Sequence, residues 1–176
     1  MKIIIPTQLD EITVEQFIKY NRILNLPDIE KEAQDLAIIS IFCNIPIEES
    51  IKINLKDINE KVAQIKEVLN QDVKFKPTCD KYGFIPNFDK ISLGEHATID
   101  TLLGDTDNLA LLMSVLYRPI KKKALPFYSI EPYDGDESKG ELFKEVTMDV
   151  VNGSLLFFWT LSKELLSNIL LHLEDK

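Results

Sequence analysis

The sequence has few of the residues on which catalytic and metal-binding motifs depend. It contains two cysteines, two histidines and six glycines among 176 residues. Cys43 and Cys79 lie far apart and form no CxxC pair, so we expect two reduced thiols and no disulfide framework. His96 and His172 lack the HExxH spacing of a zinc site, and no Cys/His cluster accompanies either residue. These absences argue against a metal centre.

Nucleotide-binding and hydrolase motifs are also missing. The glycines are scattered, and no GxGxxG, GxxxxGK or GxSxG pattern occurs. Acids cluster at Asp134, Asp136 and Glu137, but their spacing does not match a calcium-binding loop, and we interpret residues 133–140 as a solvated loop. A paired-carboxylate hydrolase stays open, because 29 acidic residues are present although no pair is marked. Because the catalytic, nucleotide-binding and metal-binding motifs above are missing, we predict a protein that is not an enzyme and holds no metal or cofactor.

Long apolar runs and excess positive charge are absent as well. A membrane-spanning helix needs about 20 apolar residues. The richest run, Val150–Leu161, is shorter and is interrupted by polar residues, so we predict no membrane span. The net charge of −9 argues against binding to nucleic acid or to an anionic membrane surface. The one basic run, Lys121–Lys123, is interpreted as a solvated loop.

The residues that are present indicate an α+β fold that is predominantly α-helical. Hydrophobic residues make up 45% of the chain and charged residues 28%, which is ordinary globular usage. A capping box at Thr13–Gln16 and periodic apolar positions predict helices over 14–25, 28–44 and 55–69. We therefore expect a helical subdomain over residues 1–70 and a mixed α+β subdomain over 71–176, packed as one compact unit.

The mixed half begins with a predicted β-hairpin and continues with helices. Residues 73–76 and 82–85 alternate around a turn, which is typical of two paired strands. Ser92 and Glu95 form a second capping box at the start of a short helix. Residues 127–130 are strand-like between two prolines.

Two segments stand out as candidates for structural or binding roles. Residues 108–120 predict a core helix that Pro119 stops. Its end, Tyr117-Arg118-Pro119, is predicted to be a clamp in which Arg118 binds the last carbonyls or a carboxylate such as Glu131 or Asp134; an interface anchor is the alternative.

The other segment is a long, apolar C-terminal helix over about 148–171. It is apolar on nearly every side, which is typical of a helix central to the core or covered by another chain. Phe157, Trp159 and Leu166 form its candidate partner-binding face.

Six blocks of the second half lie in order over roughly residues 82 to 165. They are 82–87, 91–95, 99–100, 113–120, 128–135 and 153–158. This series resembles a family of small tailed-bacteriophage proteins described as tail or baseplate assembly proteins or tail-assembly-chaperone-like proteins. None of the blocks is a catalytic signature, so their order carries the resemblance.

The resemblance implies a non-enzymatic role in virion morphogenesis through contacts with other phage structural proteins, in tail or baseplate assembly. It implies a location in the host cytoplasm during assembly. The alternative is a stoichiometric structural subunit of the tail, neck or baseplate, or a cargo protein of the virion, in which case the protein stays in the particle and forms symmetric homo-oligomers. A small enzyme is the distant alternative.

Overall fold

Helices make up most of the molecule, and one small antiparallel sheet lies among them. The computed structural model describes residues 3–87, 91–124 and 127–160. Within these ranges the chain has the predicted α+β, mainly helical fold class. Each helix of the described ranges is too short or too polar to cross a lipid bilayer.

The first part of the chain is helical, as predicted. Its helices are α1 (Val14–Leu24), α2 (Lys31–Cys43), α3 (Ile47–Ser50) and α4 (Leu55–Leu69). The Thr13 hydroxyl accepts a hydrogen bond from the Gln16 amide, and the Gln16 side chain accepts one from the Thr13 amide at 3.0 Å. α2 begins later than predicted because Asp28 has a φ of 57°, which is outside the right-handed helical region.

The sheet differs from the prediction in its first strand. Its strands are β1 (Thr78–Cys79), β2 (Tyr82–Phe84), β3 (Tyr117–Ala124) and β4 (Phe127–Ile130), in the order β1-β2-β3-β4. Residues 73–76 belong to no strand of the sheet, so their assignment to a strand was wrong. We call residues 71–77 the strap. Its alternating pattern has another cause, because Phe75 is half-buried under neighbouring aromatic rings while Lys74 and Lys76 are exposed.

The predicted helix over 108–120 is divided among three elements, because Asn108 ends a short 3-10 helix (Thr106–Asn108) and the other residues belong to a helix and a strand. After α5 (Leu93–Leu102), α6 (Leu109–Leu116) passes directly into β3 without a loop. Tyr117 pairs with Phe84 in β2 and Pro119 pairs with Tyr82, so tertiary pairing ends the helix at Leu116, three residues before the proline. Lys121–Lys123 are exposed, as expected, but they belong to β3 and not to a loop. Pro119 lies next to the irregular register between Ile120 and Lys122, where a missing N–H is tolerated.

The C-terminal part contains a 3-10 helix (Glu137–Phe143) and then α7, whose described part covers residues 148–160. The predicted extension of this helix to about residue 171, including Leu166, lies outside the described residues. The start of α7 is paired with the start of α1. The Val14 amide donates to the Val146 carbonyl at 2.8 Å, and the Met148 amide donates to the Ile12 carbonyl at 2.8 Å. These bonds satisfy amides that the first turn of a helix leaves unpaired.

One hydrophobic core includes side chains from both predicted subdomains. Ile12, Ile38 and Ile65 come from the first, and Met113 and Val151 come from the second. All five are inaccessible to solvent. The N-terminal helices and the mixed part therefore stabilise each other.

Candidate protein-interaction groove

A groove opens between α5 and α7, and the strap forms its third wall. Its volume is about 800 Å³. α7 contributes positions 152, 155, 156, 158 and 159, and all of these except 158 follow the i, i+3, i+4, i+7 spacing of one helix face. α5 and the residues after it contribute His96, Asp100, Leu103 and Gly104. Two helix faces thus flank a slot, and the first residues of the strap, 71–73, line it as well.

The α7 wall of the groove exposes large apolar side chains. Trp159 is 62% exposed and Leu156 is 57% exposed. On the other side of the same helix, Val150, Val151 and Ser154 are buried. The buried side accounts for the folding of α7 against the core. The exposed side is apolar although it faces the groove, and contiguous exposed apolar surface of this kind marks binding sites in soluble proteins.

Hydrogen bonds of a capping box fix the first turn of α5, the helix that forms one wall of the groove. The Ser92 hydroxyl accepts from the Glu95 amide at 3.2 Å, and the Glu95 carboxylate accepts from the Ser92 amide at 2.7 Å. Gly104 follows α5 with a φ of 92°, and a β-carbon there would meet nothing within 4 Å. Glycine is therefore required at this turn by its backbone conformation and not by lack of space.

The groove has acidic groups at its rim. Asp72 and Asp100 are exposed, and Nδ1 of His96 lies 3.1 Å from an Asp100 oxygen. Among the described residues that line the groove, none is Lys or Arg. The surface therefore combines an apolar floor with negative charge.

A smaller cavity of about 270 Å³ adjoins the groove on the side of α1. Leu103, Gly104, Asn152 and Leu155 line both spaces, and Phe17 of α1 lines the smaller one. The apolar surface therefore continues from Trp159 past Leu155 to the first helix.

The predicted partner-binding face is divided by the structure. Trp159 lines the groove. Phe157 does not: its ring stacks on Phe75 of the strap, with centroids 4.1 Å apart and an angle of 7° between the planes, and it also meets Phe84 edge-on. Leu166 lies outside the described residues. Trp159 and Phe157 therefore have different surroundings although they are two positions apart.

The predicted clamp residues lie at the start of β3, away from the groove. Tyr117 is buried, and its hydroxyl donates to the Lys76 carbonyl of the strap at 2.5 Å. Burial raises the pKa of Tyr117 well above its usual value. Pro119 pairs with Tyr82, and its carbonyl accepts from the Glu131 amide at 2.9 Å.

Arg118 makes a buried ion pair, but with a different partner from the expected ones. Its Nη2 lies 2.7 Å from a Glu95 oxygen, and the two side chains are only 10% and 8% exposed. Glu131 and Asp134 were the expected carboxylates. Glu95 takes their place because its capping role already holds it at the first turn of α5, on the side facing β3. Arg118 therefore fastens β3 to the inner side of the helix whose outer side lines the groove.

The strap is fixed on α7 by a close backbone approach and an ion pair. A β-carbon at Gly153 would lie 2.6 Å from the Lys74 carbonyl oxygen, so only glycine allows the strap to lie so near the helix. The Lys76 ammonium binds the Asp149 carboxylate, which also accepts from the Thr147 hydroxyl at 2.5 Å. Burial raises the pKa of Asp149, but the bonds from Lys76 and Thr147 outweigh it and hold that pKa below its usual value.

Sequence reasoning did not find most of the groove. It identified the apolar character of α7, including Trp159, but not the opposite wall at His96, Asp100 and Leu103. The spacing of those three residues, i, i+4, i+7, was the available signal, because it places them on one helix face. That face is mostly polar, so its spacing alone does not indicate a binding surface.

No group of three or more His, Cys, Asp or Glu side chains among the described residues is placed to hold a metal ion. Burial raises the pKa of the Cys43 and Cys79 thiols, so both are less reactive than an exposed cysteine. No protein-family model matches the chain, and no curated protein or solved structure matches it either.

Proposed function

We propose that this protein is a non-enzymatic bacteriophage morphogenesis protein that binds another phage protein in the groove during tail or baseplate assembly. The observation that carries the proposal is the apolar α7 wall, where Leu156 and Trp159 are more than half exposed. Leaving such side chains in water costs free energy, about 25 cal/mol per Å² of apolar surface that a partner would otherwise cover. Tryptophan is also enriched among the residues that dominate binding energies at protein interfaces.

The setting in a tailed phage rests on the resemblance of the ordered blocks in the second half of the chain. Block 153–158 lies on α7, whose positions 155 and 156 line the groove. Block 113–120 covers the end of α6 and the start of β3, including Arg118. The resemblance therefore extends over both the groove and the elements that support it, and it implies action in the host cytoplasm while virions form.

The proposal is tested in the phage that encodes this chain. We expect Leu156→Asp to place a charge in the apolar wall and to prevent tail completion, so that electron microscopy finds heads without normal tails. The matched control is Leu93→Asp, because Leu93 is 86% exposed on α5 and does not line the groove. Normal tails with Leu156→Asp, in the presence of soluble folded protein, would overturn the proposal.

Virions purified from the wild-type phage distinguish a transient assembly factor from a structural subunit. Mass spectrometry of purified virions measures how many copies remain. We expect the protein to be absent from, or strongly depleted in, the finished particle, because the resemblance implies an assembly factor that binds a tail protein and then leaves. A stoichiometric copy number would show that it is a subunit, which is the alternative role within the same class of function.

A further inference from the structure

We infer that the groove binds an amphipathic helix with apolar residues on one face and lysine or arginine beside them. This inference rests on the proposed function and names the kind of segment that the partner presents. The first argument is shape. The groove has a helix face on each of two sides, so a third helix would pack against both in the manner of a helix-in-groove complex.

The second argument concerns backbone hydrogen bonds. The α5 and α7 walls are helical, so their backbone groups are already bonded within each helix. These two walls cannot pair with an extended strand, whose own amides and carbonyls would be left unsatisfied against them, and the non-helical strap lines the groove only with residues 71–73. A helical ligand satisfies its own backbone and presents only side chains to Leu155, Leu156 and Trp159.

The third argument is charge. Asp72 and Asp100 stand at the rim, and the described lining residues include no Lys or Arg. A basic ligand is attracted by this rim, whereas an acidic one is repelled. A second copy of this chain carries a net charge of −9, and residues 161–176 contain more acidic residues than lysines, so neither matches the rim. The charge therefore favours a different protein as the occupant.

The protein carries its own reporter for this interaction. Trp159 is the only tryptophan in the chain, so tryptophan emission reports on the groove alone. The probe is a synthetic leucine-lysine peptide of about 20 residues, patterned as an amphipathic helix and long enough to form one. Its controls are a scrambled peptide of the same composition and a leucine-glutamate peptide with the same apolar pattern.

We expect the leucine-lysine peptide to shift Trp159 emission to shorter wavelength and to reduce acrylamide quenching, while both control peptides have little effect. Leu156→Asp should weaken peptide binding about tenfold or more, and Leu93→Asp should not change it. Replacing Asp72 and Asp100 together with asparagine should weaken binding several-fold and reduce its dependence on salt.

Several results would overturn the inference. Equal binding of the leucine-glutamate or scrambled peptide would refute the basic or helical character of the ligand. If Leu156→Asp binds the leucine-lysine peptide with unchanged affinity, the peptide binds outside the groove. Trp159 that is already shielded from acrylamide in the free protein would mean that the groove is occupied by this chain. Shielding that does not depend on protein concentration would show that another part of the same molecule occupies it. Shielding that increases with protein concentration would show that a second copy does.

The outcomes also separate this inference from the proposed function. If phage carrying Leu156→Asp fail to build tails but the peptide does not bind, the helical basic ligand is wrong and the role in assembly stands. If the peptide binds as expected but those phage assemble normally, the groove chemistry stands and the proposed function is wrong.

Discussion

The inner sides of α5 and α7, which face the rest of the protein, and their outer sides, which face the groove, differ in the contacts that their side chains make. On the inner sides, each helix has a buried acid with a cationic partner: Glu95 of α5 pairs with Arg118, and Asp149 of α7 pairs with Lys76. On the outer sides, polar and apolar groups face the groove. The exposed Trp159 is only five positions from the buried Ser154, on the same helix.

This difference indicates which residues the fold requires. Inner-side residues make contacts that are lost on unfolding, so their replacement should change stability. Outer-side residues such as Leu156 and His96 are exposed to water in the folded state, so the fold gains little from them. Four substitutions test this division, and their expected effects on stability decrease from the first to the last.

The largest effect is expected at the buried ion pair. Arg118→Met leaves the Glu95 carboxylate buried without its partner, which typically costs about 3–5 kcal/mol. The change is measured as the free energy of unfolding in urea. The matched control is Arg22→Met: the Arg22–Asp107 pair has side chains 62% and 50% exposed, and such surface pairs contribute about 1 kcal/mol or less.

A double variant sharpens the same test. Arg118→Met combined with Glu95→Gln removes the buried charge while keeping a side-chain oxygen for the Ser92 amide, so it should recover much of the lost stability. Equal losses in Arg118→Met and Arg22→Met would contradict the distinction between the buried and the exposed pair.

A smaller loss is expected from Gly153→Ala. The added methyl group would meet the Lys74 carbonyl at 2.6 Å, and the strap must move away from α7, a change that typically costs about 1–3 kcal/mol. Gly94→Ala in α5 is the control, since its nearest neighbour is the Ser92 hydroxyl at 3.8 Å. There alanine should stabilise by up to about 1 kcal/mol through its higher helix propensity. Thermal or urea unfolding should therefore give opposite signs for the two glycines.

The Asp149–Lys76 pair should give a loss of about 1 kcal/mol that depends on pH. The pKa of Asp149 is lower in the folded protein than in the unfolded chain. Its contribution is therefore complete above the unfolded value, about 3.9, and is lost as pH falls through the folded value. Asp149→Asn should lower stability near pH 6 and approach the wild type as the solution becomes more acidic.

The measurement is the urea midpoint of both proteins from about pH 6 to pH 2. Asp134→Asn is the control, because the Asp134 side chain is 54% exposed where it pairs with Lys139. Residues 133–140 were predicted as a loop, but Lys139 lies in the 3-10 helix. Asp134→Asn should change the midpoint less at every pH. A constant difference between Asp149→Asn and the wild type over the whole range would show that ionisation of Asp149 does not stabilise the fold.

Local signals in the sequence predicted the elements whose ends are set by neighbouring residues. The capping boxes at Thr13 and Ser92 and the apolar stripe of α4 lie within single helices, and their helices begin where these signals indicate. Cap and stripe depend on residues three or four positions apart, so they can be recognised without the tertiary structure.

Elements decided by distant contacts were not predictable in this way. Tyr117 belongs to a strand because it pairs with Phe84, and no residue near Tyr117 reports that pairing. The strap has the alternation of a strand, but its neighbours are α7 and aromatic rings. Likewise, the apolar outer side of α7 could be predicted from its composition, whereas its position opposite His96 depends on how α5 packs.

The smallest effect on stability is expected in the groove itself. Leu156→Asp replaces an apolar side chain that is 57% exposed, and surface substitutions of this kind usually change stability by less than about 0.5 kcal/mol. Urea unfolding of Leu156→Asp and of Leu93→Asp should therefore give the same free energy as the wild type. A loss of about 2 kcal/mol or more in Leu156→Asp alone would show that this side chain belongs to the core, and the distinction between the inner and outer sides of α7 would fail. An unchanged free energy means that any loss of partner binding in this variant comes from the surface and not from unfolding.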